Sequence, residues 1–195
     1  MDPARMARLG ETEEPGDRPT APGSLRLVQR FLNSHNHEFP PEVDRLGTPE
    51  RAAAWLAASG LLVPGTRLAE TDRGRLVALR DGLREVVAAG GEPPPALAHE
   101  ATTPIGVAFG DDGRPSLVAF GDGVDRAISG ILAACAEASL DGSWGRLKTC
   151  RECRWAFYDR SKNRSGAWCA MRICGNRRKN RSYRRRHGVA IRAAG

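Results

Sequence analysis

At 195 residues with 41% apolar content, the chain is long enough for one modest core and a small appended module, but not for two large domains. The net charge of +7 conceals a division: of 30 Lys/Arg and 23 Asp/Glu, 16 and 2 lie from Arg146 onward, leaving an acidic front of about −7 and a basic end of about +14. No stretch approaches the ~18–20 apolar residues of a membrane span, and the amino terminus lacks the apolar centre of a signal peptide, so a cytoplasmic protein with reduced or metal-bound thiols is expected.

Charge and proline dominate residues 1–23, which read as a disordered tail. Order is expected from Ser24, a candidate N-cap for a helix carrying Leu25, Val28, Phe31 and Leu32 at helical spacing. Thr48 followed by Pro49 opens a second helix, with Trp55 and Leu56 as core anchors and Gly60 as its stop. After an apolar connector, Leu61 to Val63, a third helix is predicted over 71–89 with Leu76, Leu79, Leu83, Val86 and Val87 on one side. Gly90, Gly91 and three prolines end it.

Residues 104–120 read as a β-hairpin turning at Asp111-Asp112-Gly113, and 124–140 as a helix with Ile128, Ile131, Leu132 and Cys135 inward. The front is therefore an α+β globule, mostly helical, over 24–141. A short linker, Asp141 to Ser143, leads to a module over 146–188.

The chemistry concentrates in that module. Cys150-x2-Cys153, fifteen residues, then Cys169-x4-Cys174 is the spacing of two thiol pairs that close around tetrahedral zinc. Buried structural thiols are the plainer alternative, and the two close pairs beside aromatic and basic residues favour the metal. Four thiolates would leave no open position for water, which disfavours a catalytic zinc. Strands are expected before Cys150 and through Trp155 to Asp159, with a turn at Ser161 to Gly166. A helix should then run from about Asn176 to His187, an order similar to a treble clef. Asp159 is expected to accept hydrogen bonds from the turn, and Asn176 to orient the helix start.

Arg177, Arg178, Lys179, Arg181, Arg184, Arg185 and Arg186 are too numerous for one helical face, so phosphate contacts on both sides of a groove are expected of them. Tyr183 is expected to pack back on the finger rather than to stack on a base. In the front, Asn33, His35 and His37 could border a ligand pocket, with a solvated loop the plainer reading of the two histidines.

The segment WCAMRICGNRRK, with the FYDRSKN turn and the paired cysteines, resembles the CGNR zinc finger of bacterial proteins. Residues 25–140 are similar in layout to the ABATE-type domain that accompanies it: RLVQRFLNS, AAAWLAASGLL, a Leu/Arg-rich helix and the later hairpin. The resemblance implies a stress-related transcription regulator whose finger binds DNA, with zinc as cofactor and a front domain that senses an effector or forms a homodimer. Two rivals stand beside it: an RNA-binding finger protein, and an enzyme with its site around His35, His37 and Glu38.

Overall fold

The computed structural model describes residues 18–36, 43–90 and 103–186. Its first helix, α1 (Leu25–Leu32), buries Leu25, Val28, Phe31 and Leu32 as the spacing requires, and Gln29 with them. Ser24 does not cap it: the residue is already helical in backbone and its side chain makes no capping bond. A two-residue ribbon follows, β1 (His35–Asn36) against β2 (Val43–Asp44), antiparallel with His35 opposite Asp44.

Helix α2 (Pro49–Ala58) starts as expected, with Thr48 Oγ1 accepting from Arg51 N–H at 3.3 Å and Pro49 in the first turn, where no N–H is needed. Phe31 and Trp55 meet at 5.7 Å between ring centroids and tie α1 to α2. Leu61 and Leu62 of the connector are buried, whereas Val63 is exposed. The long α3 (Glu70–Ala89) ends at Gly90, whose φ of +83° is the left-handed conformation that favours glycine. All five apolar residues predicted for its inner side are buried.

Strands β3 (Ile105–Phe109) and β4 (Pro115–Ala119) pair antiparallel, Val107 opposite Leu117, across the predicted turn. Half-buried Leu117 and Ala119 share a face, and Ala119 lies beneath Gly130 of α4 (Gly123–Leu140), where an added Cβ would stand 2.8 Å from Leu61 and 3.4 Å from Ala119. Helices α1, α3 and α4 enclose the main core with α2 alongside. No helix among the described residues is long and apolar enough to cross a membrane.

The expected linker is not a gap. Ser143 is buried and its N–H bonds Asp141 Oδ1 at 2.7 Å, after which a single 3-10 turn (Trp144–Arg146) enters β5 (Leu147–Thr149). Strand β5 pairs antiparallel with β6 (Ala156–Tyr158), and Leu147 and Ala156 belong to the main core. The basic α5 (Asn176–Arg186) closes the described chain, giving an α+β fold with a terminal cysteine-rich module.

The described part of the expected tail is also ordered. Ala21 is 1% exposed and Arg18 4% exposed, because residues 18–21 lie along α1 and β6 rather than in solvent.

Candidate metal centre and nucleic-acid interface

The cysteine module is built on the β5–β6 ribbon. Cys150 ends the first strand, and its N–H bonds Trp155 C=O at 2.8 Å while its C=O accepts from Arg154 N–H at 2.8 Å, so the chain reverses tightly around Cys153. Arg154 takes a φ of +62° to complete that reversal. The second pair sits on a wide helical turn, Met171–Gly175, in which Gly175 N–H reaches Ala170 C=O, five residues back, at 3.3 Å. Asn176 donates to Arg172 C=O at 3.1 Å, the orienting role expected at the helix start.

These two reversals bring all four sulfurs within 4.8 Å of one another. Cys153 to Cys169 and Cys169 to Cys174 are each 3.6 Å between sulfurs. A tetrahedral ion with metal–sulfur bonds of about 2.3 Å requires sulfur–sulfur edges of about 3.8 Å, close to the two 3.6 Å edges, so the donor set fits a metal. Burial pushes the Cys174 thiol up to about 12, hydrogen bonding with Cys150 raises Cys153, and hydrogen bonds from Cys153 and Cys169 pull Cys150 down. A divalent ion would replace those shared protons with a charge that all four sulfurs can face.

Trp155, Phe157, Trp168 and Ile173 wall the cluster with apolar surface. A second polar hub lies at Asp159, which is 3% exposed and accepts from Ser161 N–H (2.9 Å), Gly166 N–H (2.8 Å) and Lys148 Nζ (2.8 Å). Burial opposes its charge, but Lys148 and the donors at Ser161 and Gly166 hold its carboxyl well below the usual carboxylate range. The carboxylate thus organises the 161–166 turn, as expected. Gly166 is required there, since a Cβ would fall 2.7 Å from Asp159 Oδ1.

Helix α5 has no buried residue. It is held to the module through the turn bearing Cys174 and by Arg181, whose Nη2 lies 2.7 Å from Glu152 Oε1, a side chain only 5% exposed, between the first two cysteines. Arg181, expected to contact nucleic acid, is therefore engaged with the finger. At 3.6 residues per turn, the face opposite Arg181 carries Lys179, Tyr183 and Arg186 at i, i+4 and i+7. Arg177 with Arg184 on one side and Arg178 with Arg185 on the other lie within about 60° of Arg181 around the helix. Tyr183 is 57% exposed, so it does not pack back on the finger: its position on the helix turns it away from the module.

Of the residues that could border a front pocket, Asn33 and His35 are described. Asn33 forms an amide clamp on β6, donating to Ala156 C=O at 2.9 Å and accepting from Ala156 N–H at 2.8 Å. His35 lies in β1, and its carbonyl accepts from Arg84 at 3.3 Å. Arg84 also donates to Leu32 C=O, and buried Arg80 pairs with Asp44 at 2.7 Å. Among the described residues, Arg84 and Arg80 thus lie beside the α1–β1 corner that Asn33 and His35 could have bordered as a pocket. His37 and Glu38 lie outside the described residues. Cys135 packs against the main core, and burial pushes its thiol up to about 12.

A four-cysteine cluster with a projecting basic helix, fused to a mostly helical domain, is the arrangement of a zinc-finger protein. Two family models match: ABATE, described as "Putative stress-induced transcription regulator", over residues 25–155, and the CGNR zinc finger over 146–187. The chain belongs to the ABATE family and carries the CGNR finger. No curated protein matches it. The two matches overlap at 146–155, which hold β5, whose Leu147 joins the main core, and the turn bearing Cys150 and Cys153.

Proposed function

We propose that this protein regulates transcription by binding duplex DNA through α5, held in place by a structural zinc ion on Cys150, Cys153, Cys169 and Cys174. The observation that carries the reading is the state of α5: eleven residues, seven of them Lys or Arg, with none buried. An isolated helix of that length is marginal in water, and its like charges repel. Such a helix is suited to a polyanion, and the finger fixes where it points. Cations on three sides would straddle a groove and contact phosphates, with Lys179 and Arg186 on the outermost face best placed to approach base edges. Zinc with four thiolates has no open coordination position, so its role would be structural rather than catalytic.

The test is a binding titration against duplex DNA and structured RNA at matched salt. Log affinity should fall steeply with log salt; Arg178→Ala or Arg185→Ala should each lower the slope by about one, whereas Lys179→Ala or Arg186→Ala should narrow the difference in affinity between duplex sequences. Preference for duplex DNA supports the reading; preference for structured RNA, where exposed Tyr183 could stack on an unpaired base, would replace it.

A further inference from the structure

We propose that Arg18 belongs to the metal centre as an outer cap: a positioning residue, delivered by the segment before α1, that holds Cys169 on the metal and screens its sulfur. The inference rests on the reading that the four thiolates hold zinc. Arg18 lies 151 residues from Cys169 in sequence, yet its Nε stands 3.2 Å from Cys169 Sγ. Its guanidinium carbon is 5.1 Å from the centroid of the Trp155 ring, which walls the same cluster. With 4% of its surface exposed, this guanidinium is out of water and needs an electron-rich partner; a thiolate and an indole face supply both.

The segment is anchored on both units. Gln29, buried in α1, accepts from Ala21 N–H at 2.6 Å and donates to Pro19 C=O at 3.0 Å. The same amide donates to Ala156 C=O of β6 at 3.3 Å, and Arg160 donates to Thr20 C=O at 3.2 Å. Residues 18–21 are therefore a strap with the front helix on one side and the finger on the other. Their arginine is fixed by its neighbours and does not search for the sulfur.

The consequence follows from charge. Four thiolates around a divalent ion leave the centre at a net charge of −2, and an N–H donor on one sulfur lowers the cost of holding that charge in an apolar wall. Metal loss begins when a sulfur leaves the ion and meets a competing ligand or an electrophile. Arg18 opposes both events at Cys169, by bonding the sulfur and by covering it. Metal retention in the finger would then depend on a residue that lies outside it.

The experiment uses the full chain with its zinc content measured first, comparing wild type with Arg18→Ala and Arg18→Lys. Zinc transfer to excess chromogenic chelator should be about tenfold faster in Arg18→Ala, within the range seen when outer-shell partners of metal ligands are lost. Arg18→Lys, which keeps the charge but not the planar stack, should fall between. Alkylation of Cys169, read by peptide mass, should accelerate in the same order. Should Arg18→Ala fail to fold, Arg18→Lys decides, since release at the wild-type rate overturns the cap. One zinc per chain with unchanged release in both variants overturns the role of Arg18 alone. Wild-type protein without zinc overturns the metal reading on which it rests.

Discussion

Helices α1 and α5 are of similar length and are held in opposite ways. Of the eight residues of α1, five are buried, and the helix stays in place without a side-chain N-cap because its apolar face is covered by α3, α4 and β6. None of the eleven residues of α5 is buried, and it is tied to the finger through the cysteine-bearing turn at its start and the Arg181–Glu152 ion pair near its middle. The front of the molecule is fixed by area removed from water; the end is fixed by a few directional contacts around four sulfurs. A helix fixed by burial keeps only a narrow outer side for a partner, here Arg26 with half-buried Leu27 and Arg30. A helix fixed at one end keeps nearly all of its surface for one.

The largest test of that contrast is Cys174→Ser. Structural zinc supplies roughly 10 kcal/mol or more to modules of this kind, so the finger should lose its fold. The helical signal of α1 to α4 should persist. Loss of both together in circular dichroism and amide exchange would mean that the front core also depends on the metal. A smaller effect is expected at the polar hub: Gly166→Ala forces a Cβ against the Asp159 carboxylate and should cost about 2 kcal/mol, read as faster exchange in the finger while α3 is unaffected.

The seam between the regions is the third site. Asn33→Ala leaves Ala156 N–H without its side-chain acceptor and its C=O with Gln29 alone, a change of about 1–3 kcal/mol. A single thermal transition should then broaden or split. The smallest effect is that of acid on the front. Although burial opposes it, Arg80 and Leu46 N–H hold Asp44 below its ordinary value. Its stabilising contribution is therefore complete above about pH 4 and is lost as pH falls through the depressed folded value. Asp44→Asn should flatten that part of the stability–pH curve.

Much of the fold was legible because burial leaves a periodic trace. Leu76, Leu79, Leu83, Val86 and Val87 repeat at helical spacing and all face the core, and Thr48-Pro49 marks a helix start from two adjacent letters. The four sulfurs were legible because metal geometry restricts spacing. What escaped was contact between distant polar residues. Asn33 reads as a loop residue after a helix, and nothing nearby announces that its amide completes a strand 123 residues away. Arg18 sits in a proline-rich stretch resembling a tail. Tyr183 was misplaced because an aromatic in a small module is normally needed for packing, whereas here Trp155, Phe157 and Trp168 already wall the sulfurs. Glu152 did leave a signal: with Asp159 it is one of two acidic residues among sixteen basic ones, and both are used to fix cations.

The most direct measurement is duplex DNA binding by the full chain before and after chelation, with metal content determined on the same samples. The account predicts about one zinc per chain and salt-sensitive binding that disappears with the metal and returns when zinc is restored. Undiminished binding by the metal-free chain would contradict it, because α5 would then need no finger to present it.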